Sequence, residues 1–66
     1  MSKKYEPMIN LKILRIKKGY TQIALSEKIG KAKNLVYLYE SGHSFPTKKM
    51  LEKLAKALEC EIKDIV

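Results

Sequence analysis

The sequence holds one cysteine, one histidine, one aspartate and no tryptophan. Each scarcity excludes something. A lone Cys60 cannot form an internal disulfide, and Cys60 with His43 cannot complete the four-ligand cage of a structural zinc. The sole aspartate, Asp64, comes near the end of the sequence. No nucleophile stands beside a base, and no glycine-rich phosphate loop occurs, so neither an enzyme nor a cofactor or metal is expected. The longest uninterrupted apolar run is Leu35-Val36-Tyr37-Leu38-Tyr39, too short for a signal-peptide core or a bilayer span. With the unpaired thiol, that predicts a cytoplasmic protein that does not enter membranes. Sustained period-two alternation and Asn-Gly or Asp-Gly hairpin turns are also missing, which argues against sheet.

What is present is short, basic and helical. Sixty-six residues make one small domain, in which only roughly 60% of the unfolded surface is buried. With disulfide and metal excluded, well-packed helices and self-association remain as sources of stability, and a homodimer is expected. The net charge is +7, and all of it lies between Lys12 and Lys49, where nine basic residues meet only two acids, Glu27 and Glu40. The remainder is neutral. A basic middle beside a neutral C-terminal third suggests one side that faces a polyanion.

Residues 1–8, with Lys3, Lys4 and Pro7, read as a basic flexible arm, and residues 9–66 as the domain. Asn10 is a candidate N-cap for a helix carrying Leu11, Leu14, Arg15 and Lys18, which Gly19 stops. Thr21 can cap a second helix with Leu25 and Ile29 inward, closed by Gly30. A third is expected from about Lys33 to Ser41, with Val36 and Tyr39 inward and Gly42 at its end. Pro46 breaks the chain. Thr47 then caps a fourth helix bearing Leu51, Leu54, Ala55 and Leu58, and Ile62 and Ile65 suit a short last one. The expected fold class is all-α, a compact bundle of four to five short helices. Only Gly30-Lys31-Ala32 separates the second and third helices, so they must cross steeply as a helix-turn-helix, over about residues 21–41.

The ordered set Leu11-Lys12-Ile13-Leu14-Arg15, Gly19-Tyr20-Thr21-Gln22, Leu25-Ser26, Ile29-Gly30, Val36, Tyr39-Glu40-Ser41-Gly42, Pro46-Thr47 and Leu51 to Leu58 resembles the lambda-repressor/Cro-type (Xre-type) helix-turn-helix family. Cys60, Ile62 and Ile65 continue the match. The resemblance implies a lambda-repressor-like DNA-binding domain whose helix at about 33–41 enters the major groove of double-stranded DNA. Base contacts then fall to Lys33, Asn34, Tyr37 and Leu38. Lysine can donate to guanine, asparagine can pair with adenine, and leucine can meet a thymine methyl. Phosphate contacts fall to Thr21 and Gln22 at a helix N-terminus, and to Lys31, Ser44 and Lys48. In each case the plain alternative is a cap or a solvated surface residue. Arg15 and Glu40 sit on otherwise apolar faces, and the resemblance implies a structural ion pair between them that sets the docking angle of the third helix.

Three departures carry expectations of their own. Ala32 stands where the family places a capping serine or threonine, so the third helix is expected to start loosely, as late as Asn34. Glu59 occupies a site common for glycine or asparagine. Ile9, Ile13 and Ile16 give the first helix a second apolar stripe, expected to be covered by the arm through Tyr5 and Met8, or by a partner protein. The expected function is a sequence-specific transcription regulator, a repressor binding an inverted-repeat operator as a dimer through the C-terminal third (Ile62, Ile65, Val66). No separate effector domain is expected. The alternative is a protein-interaction module that keeps the fold, uses Leu35/Leu38 and Ile13/Ile16, and binds DNA only weakly.

Overall fold

Leucines at 51, 54 and 58 with Ala55 recur at the spacing of one helix face, and they form the floor on which the molecule is built. The computed structural model describes residues 4–66. It contains α1 (Ile9–Lys17), α2 (Gln22–Lys28), α3 (Leu35–Ser41), α4 (Lys48–Leu58) and α5 (Ile62–Ile65), with no strand among the described residues. α2 packs on α3, α1 on both α3 and α5, and α4 on α5. Leu11, Leu25, Val36, Leu54, Leu58 and Ile65 are sealed from solvent at the centre. The all-α bundle expected from the sequence is the observed architecture.

Local chemistry sets the helix ends. Thr21 Oγ1 accepts from the Ala24 N–H at 3.0 Å and Thr47 Oγ1 from the Met50 N–H at 3.2 Å, so both expected caps form. α2 closes in a left-handed turn at Gly30, φ 74°. There the Gly30 N–H donates to the Glu27 carbonyl and the Lys31 N–H to the Ser26 carbonyl, both at 3.0 Å, the paired bonds of a Schellman cap. A β-carbon on Gly30 would meet nothing within 4 Å. The residue is therefore glycine for its backbone angle and not for space. α4 ends in the same conformation without a glycine: Glu59 holds φ 55°, ψ 47°. Its carboxylate takes the Lys18 ammonium at 2.8 Å. That hydrogen bond, with the attraction between the charges, raises the Lys18 pKa and lowers that of Glu59.

Three expectations are corrected. Asn10 lies inside α1, not at its cap. Met8 precedes the helix, its carbonyl accepting from the Lys12 N–H at 3.2 Å, and its side chain is buried in the core. Burying a methionine is worth about 1.5–3 kcal/mol, against about 1 kcal/mol for a side-chain cap, so burial decides where the helix begins. The Asn10 amide donates instead to the Val66 carbonyl at 3.3 Å. Next, α3 opens at Leu35, not Lys33, which leaves Lys33 and Asn34 in the preceding turn.

The last correction concerns the arm. Residues 1–3 lie outside the described residues, but 4–8 run away from the α1 stripe. The Tyr5 N–H donates to the Gly42 carbonyl at 2.9 Å, and its ring packs on Phe45 with centroids 5.8 Å apart. Ile9, Ile13 and Ile16 stay 55%, 48% and 57% exposed. Of the C-terminal residues expected to form an interface, Ile65 is buried and Ile62 half-buried in the protein's own core, leaving Val66 exposed. Cys60 is half-buried under α4, and burial pushes its thiol pKa up, which suits a packing residue better than a reactive one.

Glu59→Gly tests the left-handed cap. A non-glycine residue in this conformation costs roughly 1–2 kcal/mol, and the exposed pair that is lost is worth less. The variant is expected to melt about 4 °C or more higher in a calorimetric scan. A lower melting temperature would show that the pair with Lys18 outweighs the backbone cost.

Candidate nucleic-acid interface

The site begins with a carboxylate that cannot stay unpaired. Glu40 is only 7% exposed near the end of α3, and Arg15, 8% exposed, reaches it from α1. Arg15 Nε donates to Glu40 Oε2 at 2.7 Å and Nη2 to Oε1 at 3.1 Å. The third guanidinium nitrogen, Nη1, donates to the Tyr20 carbonyl at 2.8 Å. Gln22 Nε2 completes the set by donating to Glu40 Oε1 at 3.0 Å. A two-pronged guanidinium–carboxylate pair fixes direction as well as distance. The start of α2 and the end of α3 are thereby locked to α1 through one carboxylate. The ion pair expected from the resemblance is in place, and the link from Gln22 is an addition to it.

A second constraint holds the other end of α3. Its preceding residue, Asn34, makes no side-chain cap, and Ala32 cannot make one. The missing bond comes from α2. Ser26, completely buried, donates its hydroxyl to the Gln22 carbonyl at 2.8 Å and accepts from the Val36 N–H at 3.1 Å. One of the open amides of the first turn of α3 is therefore satisfied across the helix-turn-helix and not locally. Sequence reading missed Ser26 because a serine inside a helix normally bonds back to its own helix. Nothing local shows that its oxygen meets a second helix ten residues on.

With Val36, Tyr39 and Glu40 turned inward, the outer surface of the turn and α3 is left to Lys31, Lys33, Asn34 and Tyr37, all exposed. Leu38 is half-buried, so only part of it remains for a groove. The Tyr37 ring stacks on His43 with centroids 6.3 Å apart, and His43 Nδ1 lies 2.7 Å from the Ser41 hydroxyl. His43 thus braces a candidate contact. The Ser44 N–H donates to the Leu38 carbonyl at 3.2 Å, tying the loop after α3 to that helix. Thr21 is exposed beside the open N-terminus of α2. Gln22 keeps one amide hydrogen beyond the one given to Glu40, so it is oriented and still able to donate. Lys48 and Lys49 are exposed at the start of α4. The ion pairs among the described residues are Arg15–Glu40 and Lys18–Glu59. Lys31, Lys33, Lys48 and Lys49 belong to neither and carry uncompensated charge.

Two variants probe this frame. Arg15→Met strands a buried carboxylate, an error worth about 3–5 kcal/mol, and is expected to leave the chain largely unfolded by circular dichroism at 25 °C. Arg15→Met with Glu40→Leu is expected to recover most of the helicity. Ser26→Ala exposes the Val36 amide to no partner, at about 1–3 kcal/mol, and is expected to speed hydrogen exchange at Leu35 and Val36. Unchanged exchange there would dismiss the cross-helix cap.

A helix-turn-helix family model matches residues 11–65, most of the chain and the whole of α2 and α3. No curated protein matches the chain. The family is one of DNA-binding regulators and not of enzymes, and no helix of the described residues is long and apolar enough to cross a membrane. The packed α2–α3 pair, the Arg15–Glu40 clasp behind it and the exposed basic turn before α3 are the features such a domain needs, and the chain belongs to the Xre/lambda-repressor-type helix-turn-helix family, a DNA-binding regulator.

Proposed function

We propose that this protein is a repressor that reads an inverted-repeat operator in double-stranded DNA, one α3 helix in each of two successive major grooves. The observation that carries this is the outer side of α3 and its preceding turn. From Lys31 to Tyr37 it offers two lysines, an asparagine and a tyrosine, exposed and with no acid among them, while the inner side is fixed by buried contacts.

Lys33 and Asn34 sit in the turn, so their side chains approach base edges from the mouth of the helix and not from its barrel. Tyr37, in the first turn of α3, adds a hydroxyl, and the exposed part of Leu38 an apolar contact. Thr21, Gln22, Lys31, Ser44 and Lys48 take phosphates on either side and set the register. Two half-sites one helical turn apart, about 34 Å, then require two copies, and repression follows from occupying a promoter. A protein-interaction module with the same fold is the second reading, favoured by the exposed isoleucines of α1. Its other surface is weaker than the sequence suggests, because Leu35 and Leu38 are both half-buried.

Selection of bound sequences from a random duplex pool at two salt concentrations tests the proposal. An enriched palindrome, with binding that falls steeply on a log–log salt plot, is expected. Absence of any motif would hand the lead to the interaction module. Against the selected site, Asn34→Ala is expected to lose about 1–3 kcal/mol of base discrimination at one position. Lys48→Ala is expected to weaken all sequences alike and reduce the salt slope by about 1.

A further inference from the structure

The exposed isoleucines of α1 are unexplained by DNA binding and uncovered by the chain itself. Ile9, Ile13 and Ile16 fall within an arc of about 60° on the helix, on the side away from Leu11 and Arg15, which face the interior. We infer that this face is where two copies of the chain associate, α1 against an antiparallel α1. The inference rests on the homodimer reading above for its role, though its test needs no DNA.

Three features point to a second copy as the occupant. The first is spacing. A two-fold contact must be complementary to itself, and the stripe is nearly symmetric about its middle, between Lys12 and Ile13. Antiparallel packing therefore sets Ile9 against the partner subunit's Ile16 and brings the two Ile13 side chains together near the axis. The second is charge. α1 contains no acid, but exposed Glu6 stands just before its start and exposed Lys17 closes its end. Reversing the direction of one helix brings Lys17 to the end where the partner subunit's Glu6 lies, and opposes the two helix dipoles favourably. The third is the reduction of the rival C-terminal interface to exposed Val66, since Ile65 is buried and Ile62 half-buried in the core.

The same geometry contains one unfavourable pair. Lys12 flanks the middle of the stripe, so it comes beside the partner subunit's Lys12. The stems can lie over the isoleucines with the ammonium groups turned outward, but the charges still repel. That gives the arrangement a signature a different occupant would not share. A helix of 9 residues is about 14 Å long, so the contact belongs to the small, weak class.

Sedimentation equilibrium of the free protein, from micromolar to millimolar concentration, tests the surface. The wild type is expected to dimerise reversibly. Ile13→Glu is expected to weaken the dimer at least about tenfold with its circular dichroism unchanged, and Lys12→Ala to tighten it several-fold. Glu6→Lys and Lys17→Glu should each weaken association, and the two together should restore it. Should Ile13→Glu unfold the chain, Ile16→Lys makes the same test. A dimer that Ile13→Glu weakens, in a protein without selective DNA binding, supports this surface while removing the operator reading. A wild type that stays monomeric at millimolar concentration, or an Ile13→Glu protein as dimeric as the wild type, overturns the inference.

Discussion

A buried carboxylate near the end of a seven-residue helix governs this molecule. Unpaired, Glu40 would cost several kcal/mol, comparable with the whole stability of a domain this size. It is tolerated only because Arg15 grips both of its oxygens and Gln22 adds a further donor. Satisfying that one group requires α1, the start of α2 and the end of α3 to arrive together. The orientation of α3 is therefore a by-product of charge pairing and not of apolar packing alone. A hydrophobic contact at the same place would bury the same area without specifying the angle.

The economy extends to the helix ends. α2 and α3 have seven residues each, too short to persist alone in water, so they borrow from one another. Ser26 supplies the amide partner that the start of α3 lacks, and Gln22, the first residue of α2, holds the residue near the end of α3. Apart from Gln22, these cross-helix bonds use none of the residues proposed to meet DNA. Lys33, Asn34 and Tyr37 can vary without disturbing the frame, which is what a family of related regulators reading different sites needs.

Much of this was legible in the sequence. Thr21 and Thr47 announced their helices because capping is local. Leu51, Leu54, Ala55 and Leu58 announced a buried face because periodicity is local too. Arg15 and Glu40 stood out as charges on apolar faces, and the family resemblance joined them across 25 residues. What escaped depended on which tertiary contact won. Asn10 is the better cap by type, but burial of Met8 outweighs it. The arm seemed free to cover Ile13, but Tyr5 found Gly42 and Phe45 instead. Ser26 and His43 act through partners on other elements, and no local pattern marks them. The base contacts proposed for Lys33, Asn34, Tyr37 and Leu38, and the phosphate contacts proposed for Thr21, Gln22, Lys31, Ser44 and Lys48, came from the family resemblance and from no local pattern, and the fold supplies their placement.

The most direct test of that placement is backbone amide chemical-shift mapping by NMR as a selected duplex is titrated into the protein. Perturbation is predicted to concentrate at Thr21–Gln22, Lys31–Leu38, Ser44 and Lys48–Lys49, with Glu40 and the core of α4 little changed. Shifts centred instead on the outer face of α1 or on α5, with the turn before α3 silent, would contradict the account.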